Sequence, residues 1–153
     1  MRQITKTSLA LLLTSLIFFS CSGKLKQVSD DKFIGIWEIK EAPLMDGTQI
    51  QIKRENNKLV GRIYKLNDNK YVKLFSDSDD VWIPEISRIS NFEFKLTENK
   101  IGKELFALYG QKTTQEFKVQ FADDNTIQLS TNDSDPTKST RIYQKVVDDL
   151  KFK

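Results

Sequence analysis

Alternating apolar and polar residues dominate the chain from residue 33 onward. The segments 49–53, 92–96 and 117–121 alternate strictly, which is typical of strands with one buried face. Polar clusters rich in Asn, Asp and Lys, such as 55–58 and 67–70, lie between these segments and favour turns. We therefore predict nine short strands, at 34–40, 48–54, 58–66, 71–75, 90–97, 104–110, 115–121, 126–131 and 140–146.

The spacing of the turn clusters indicates the architecture. No stretch shows a sustained helical period, and the short connections favour antiparallel pairing of neighbouring strands. An open sheet would leave its apolar face in water and its edges unpaired, whereas closure removes both problems. We predict an all-β fold, an antiparallel up-and-down β-barrel of about eight strands. A β-sandwich is the alternative.

The longest irregular stretch is 76–89. Pro84 argues against a long helix or a central strand here. We expect a long loop carrying Trp82, whose indole either plugs one end of the barrel or contacts a ligand. Asp77, Asp79 and Asp80 precede it, but the segment lacks the glycine and bidentate Glu of a calcium loop, so we expect a solvated loop and no metal.

The N-terminus has the layout of an export signal. Arg2 and Lys6 precede an apolar run from Leu9 to Phe19, which is too short to span a bilayer, since spanning takes about 20 residues. The segment 18–21 resembles the lipobox of bacterial lipoproteins. This resemblance implies cleavage before Cys21, diacylglycerol on its sulfur and an acyl group on the new amine, which together anchor stably to a membrane. A plain secretory signal is the alternative.

The predicted organisation follows from this signal. We expect a signal peptide at 1–20, the lipidated Cys21 with a flexible tether at 21–32, the barrel at 33–147 and a tail at 148–153. Lipoproteins of two-membrane bacteria that stay in the inner membrane tend to carry Asp after the cysteine. Ser22 stands there, so the resemblance implies the outer membrane, and the basic tether favours the periplasmic face.

Composition narrows the functional classes. The chain has 24 Lys and Arg against 21 Asp and Glu, and loss of the signal removes two of the basic residues. The mature domain is therefore nearly neutral, which gives no reason to expect nucleic-acid binding. Histidine is absent, so catalysis through His and His-based zinc sites are excluded. A single cysteine allows no internal disulfide, so apolar burial must stabilise the fold.

Gly35-Ile36-Trp37 and Arg141 lie in the first and last predicted strands. Here the chain resembles lipocalins and the wider calycin barrels, whose first strand carries Gly-x-Trp and whose terminal Arg lies across the indole. The resemblance implies that Gly35, Trp37 and Arg141 close the barrel, with the guanidinium stacked over the ring at about 0.5–2 kcal/mol.

A lipocalin-like barrel implies a small apolar or amphipathic ligand inside. The alternating residues predict the ligand-binding positions Ile50, Ile52, Phe92, Phe94, Leu96, Phe117, Val119 and Phe121, and the long loop adds Trp82. The alternative is a barrel filled by these side chains, acting as a non-catalytic interaction partner, inhibitor or structural accessory for an envelope protein.

We expect no enzymatic activity and no cofactor. Catalysis without His would need two carboxylates with shifted pKa values, whereas Glu93 and Glu116 alternate opposite Phe residues and should face water. The pattern around Glu38 leaves its direction open.

Overall fold

The computed structural model of the chain describes residues 27–131 and 141–146. A short 3-10 helix, Asp30–Phe33, leads into eight strands and two short helices. The strands are β1 (Gly35–Lys40), β2 (Gln49–Glu55), β3 (Lys58–Lys65), β4 (Val81–Arg88), β5 (Glu93–Asn99), β6 (Thr114–Phe121), β7 (Thr126–Thr131) and β8 (Arg141–Lys145). The helices are α1 (Lys70–Phe75), between β3 and β4, and α2 (Lys103–Leu108), between β5 and β6. Neither of these helices is long and apolar enough to cross a membrane.

Each strand pairs antiparallel with the next, and β8 pairs with β1, so the sheet closes into a barrel. Trp37 lies opposite Ile50 of β2 on one side and opposite Lys145 of β8 on the other. The predicted eight-stranded up-and-down barrel is confirmed, and the sandwich alternative is wrong.

The two ends of the barrel differ. At one end, here called the closed end, the connections are tight; the β2–β3 hairpin turns on Asn56 and Asn57, both with positive φ, as a two-residue turn requires. At the other, the open end, the segments 41–48, 66–80 and 100–113 are longer, and the latter two carry α1 and α2. Among the described residues, the longer connections and both short helices therefore lie at the open end.

The 3-10 helix packs across the closed end. Phe33 is fully buried, with its ring centroid 4.8 Å from Phe94 and 4.7 Å from Phe121. The backbone of Val28 accepts a hydrogen bond from Arg88 at 2.6 Å, and Arg88 also pairs with Asp30. Residues 28–32, which the sequence placed in the tether, therefore belong to the folded domain.

Two predicted strands are wrong, because 71–75 and 104–110 are largely helical. Asn69 caps α1 by accepting from the Tyr71 amide at 2.9 Å, and Val72 is its one buried residue. Glycines with positive φ, Gly102 and Gly110, flank α2. Each helix has six residues, too few for a helical period to emerge from the sequence.

The long loop predicted at 76–89 is also wrong, because most of it is strand β4. Pro84 is tolerated because the pairing is irregular around it. Between the pairs Leu59–Ile86 and Gly61–Ile83, β4 has one more residue than β3. Such a bulge leaves a position without a ladder hydrogen bond, which suits a residue that has no amide hydrogen.

The predicted contact between Arg141 and Trp37 is wrong, although the two strands do pair. Lys145 places its ammonium 5.2 Å from the centre of the Trp37 ring. Arg141 is the first residue of β8 and precedes Tyr143 by two positions. Its guanidinium carbon lies 4.9 Å from the centre of the Phe117 ring instead. Gly35 has a φ of +141°, and a Cβ there would lie 2.9 Å from the Lys145 side chain. Lys145 thus completes the closure around Gly35 and Trp37.

Candidate functional site

A cavity of about 340 Å³ lies at the open end of the barrel. Its apolar wall is formed by the β1–β2 connection, by Ile101 and Phe106 of the segment 100–113, and by Ile39 and Trp82 of the strands. Its polar residues are Glu98, Asn99, Lys100, Gln115 and Arg141. The cavity therefore combines an apolar wall with a charged region, as pockets for small molecules commonly do.

Glu98 is the central polar residue of this cavity. In β5, Phe94, Leu96 and Glu98 share the inward face, so the alternation carries a carboxylate into the barrel. Glu98 is only 2% exposed. A buried carboxylate requires partners, because an unpaired charge in a low-dielectric interior is strongly destabilising.

Strand β8 supplies both partners of Glu98. The Tyr143 hydroxyl donates to Oε1 of Glu98 at 2.5 Å, and Arg141 donates to Oε2 at 2.7 Å. Arg141 and Tyr143 alternate with Ile142, so both face the same side of β8 as Glu98 requires. The Tyr143 hydroxyl also accepts a hydrogen bond from Trp82 Nε1 at 2.9 Å. The residues Trp82, Glu98, Arg141 and Tyr143, which we call the polar cluster, thus join β4, β5 and β8.

Burial shifts both titrating groups of the polar cluster. It raises the pKa of Glu98 above its ordinary value of 4.5, against the opposing effects of the Arg141 charge and of the two hydrogen bonds. Burial, with the nearby Glu98 charge, also raises the pKa of Tyr143 well above 10. Tyr143 therefore stays a hydrogen-bond donor to Glu98 at neutral pH.

An apolar groove of about 510 Å³ lies beside the cavity, between α1 and α2. Tyr71 and Phe75 form one wall, and Leu105 and Tyr109 form the other. Three residues line both spaces: Leu44, Ile101 and Phe106. The Lys100 ammonium lies 4.8 Å from the centre of the ring of Phe106, one of these three shared residues.

The predicted ligand-binding residues do not all line the cavity but lie in different parts of the barrel. Trp82 lies in the cavity wall. Six others are buried among the core side chains rather than along the cavity: Ile50, Ile52, Phe94, Leu96, Phe117 and Val119. Phe121 packs against that core at the closed end, where its ring meets Phe33. Phe92 precedes β5 in a turn and is 44% exposed.

Several cavity residues were missed from the sequence. Glu98 lies just beyond the end of the predicted strand 90–97, although its spacing from Phe94 and Leu96 places it on their face. Glu38, whose direction the pattern left open, faces outward and pairs with Lys40. Cys21 and the signal residues lie outside the described part of the chain.

Among the described residues, no group of three or more Cys, Asp and Glu side chains is placed to hold a metal ion. Comparison with protein-family models, with curated proteins and with solved structures found no match, so the geometry of the cavity and its polar cluster must support any assignment of function.

Proposed function

We propose that this protein is an envelope lipoprotein whose lipocalin-like barrel binds a small amphipathic ligand in the cavity at its open end. The observation that carries this proposal is a cavity of about 340 Å³ that has apolar walls and an ion pair between the buried Glu98 and the partly exposed Arg141. Ligand pockets of small molecules typically have volumes of about 300–1,000 Å³ and combine apolar walls with few polar groups.

The chemistry of the cavity favours binding over catalysis. Among the described residues that line it, Glu98 is the one acidic residue, and general acid–base chemistry on two carboxylates needs a second. The two oxygens of Glu98 already accept from Tyr143 and Arg141. An ionised carboxylate has about four acceptor positions, so Glu98 can also accept from a ligand hydroxyl or amine.

A cavity-filling substitution tests this proposal. Ala42 lines the cavity and is 3% exposed, so Ala42→Phe should fill the space and abolish ligand binding. Ala107→Phe adds the same ring to the exposed face of α2 and serves as the matched control. Native mass spectrometry of membrane-purified protein should show a bound small molecule in the wild type and in the control, and none in Ala42→Phe. Equal occupancy in both variants would contradict the assignment of the site.

A second candidate function is docking of an envelope protein at the open end. It is favoured by large apolar side chains exposed on and beside the two helices: Leu74 is 70% exposed, Leu108 77% and Tyr109 76%. In the same experiment, a stoichiometric protein without a small molecule would support this function instead.

The membrane anchor is a separate part of the proposal and rests on the N-terminal sequence. We expect Cys21→Ala to abolish lipidation, so that the protein no longer partitions with the membrane as a mature, acylated species. Intact mass and detergent phase partitioning measure this. A mass that differs from the wild type only by the Cys→Ala substitution itself, together with unchanged partitioning, would contradict lipidation.

A further inference from the structure

The groove between α1 and α2 adjoins the cavity, and the two differ in chemistry. Among the described residues, the groove is lined mostly by apolar side chains, and its polar groups are the Gln111 amide and the hydroxyls of Tyr71 and Tyr109. The charged and amide side chains lie in the cavity instead. Leu44, Ile101 and Phe106 separate the two spaces and contact both. The polar side chains of the cavity and the apolar side chains of the groove therefore lie next to each other.

We propose that the groove binds the hydrocarbon chain of the same ligand whose polar end occupies the cavity. The ligand is then an elongated single-chain amphiphile, with a hydroxyl-bearing or amine-bearing head near Glu98. Its chain passes over Leu44 and Phe106 and lies between Tyr71 and Leu105. This inference rests on the proposed function, because it extends the same site.

The exposure of the groove residues supports a ligand rather than a structural role. Tyr71 is 57% exposed, Leu105 50% and Phe75 41%. These side chains face one another across an apolar space of about 510 Å³, and helices of six residues gain little stability by themselves. A hydrocarbon chain in this space would remove apolar surface from water on both walls.

Two neutral probes with one head and different chains test the inference: octanoylglycerol and myristoylglycerol, each below its aggregation concentration. The wild type should bind the long-chain probe more tightly, because each methylene buried in the groove strengthens binding about fourfold. Leu105→Asn removes contact with about two methylenes, so it should weaken binding of myristoylglycerol about fifteenfold. Binding of octanoylglycerol should stay within about twofold of the wild type.

Matched variants make this result specific. Leu108→Asn is the control, since Leu108 is on the same helix and 77% exposed but does not line the groove. Tyr71→Ser changes the opposite wall and should reproduce the chain-length effect of Leu105→Asn. Isothermal titration calorimetry gives each affinity.

The possible failures are distinguishable. Equal affinities for the two probes, or equal effects of Leu105→Asn and Leu108→Asn, would overturn the inference while leaving the cavity as the binding site. Binding of neither probe to the wild type would contradict the proposed function and the inference together.

Discussion

Tyr143→Phe is the sharpest test of the polar cluster, because it removes one oxygen and leaves the ring in place. The hydroxyl donates to Glu98 at 2.5 Å and accepts from Trp82 at 2.9 Å. A hydrogen bond to a charged group contributes about 1.5–3 kcal/mol, and an orphaned buried donor destabilises by about 1–3 kcal/mol. Tyr143 is fully buried and Trp82 is 6% exposed, so water cannot readily replace either bond.

We therefore expect Tyr143→Phe to lower the free energy of unfolding by about 3 kcal/mol, measured by urea denaturation followed by circular dichroism. Tyr64→Phe is the matched control: Tyr64 is 53% exposed on β3, and its loss should change stability by less than about 0.5 kcal/mol. A double-mutant cycle of Tyr143→Phe with Trp82→Phe should give a coupling energy of about 0.5–3 kcal/mol. Equal stabilities of the Tyr143→Phe and Tyr64→Phe variants would refute the reasoning.

Three further substitutions test the closure of the barrel and the buried carboxylate. Gly61→Ala should lower the free energy of unfolding by about 1–3 kcal/mol, because the added Cβ would lie 2.9 Å from Cβ of Ile83. Chemical denaturation measures this, and a free energy equal to that of the wild type would contradict it. Lys145→Met keeps an aliphatic side chain over Trp37 but removes the ammonium group, so the free energy of unfolding should fall by about 0.5–1 kcal/mol. An unchanged free energy would show that the ammonium group makes no favourable interaction with the Trp37 ring. Because burial raises the pKa of Glu98, its contribution to stability is present below pH 4.5 and is lost as the pH rises through the folded pKa. The stability of Glu98→Gln relative to wild type, from urea titrations, should therefore rise as the pH increases from 4.5 through the folded pKa of Glu98, and a constant or falling difference would contradict the raised pKa.

The sequence predicted the elements whose pattern is local and repeated. The alternating segments around Ile50, Phe94 and Val119 form strands with those residues inside. The Asn56-Asn57 turn likewise follows from residue types that tolerate positive φ. Closure of the sheet could also be predicted, because an open sheet would leave its apolar face in water and the backbone groups of its edge strands unpaired.

The errors arose where tertiary contacts override local pattern. The helices α1 and α2 are too short to show a helical period. The side chain of Asn69 caps α1, whereas α2 begins after Gly102 in the left-handed conformation. Strand β4 keeps Pro84 because a bulge opposite β3 accommodates it, which the sequence of β4 alone does not reveal.

The candidate site was the least predictable part. Which inward-facing residues meet depends on the register of β4, β5 and β8. That register brings Trp82, Glu98 and Tyr143 together although they are far apart in the chain. The register of β8 against β1 likewise places Lys145, rather than Arg141, over Trp37. Alternation gives the face of each residue but not its height in the barrel, so only the face could be predicted.

The most direct test of ligand binding in the cavity uses the two tryptophans of the chain. Trp82 lies in the cavity wall, whereas the Trp37 indole donates to the Phe33 carbonyl at 2.7 Å beside the closed end. A monoacylglycerol with a bromine close to its head should quench fluorescence in Trp37→Phe, which keeps Trp82. It should leave fluorescence unchanged in Trp82→Phe, which keeps Trp37. Equal quenching in the two variants, or no quenching of Trp82, would contradict binding in the cavity.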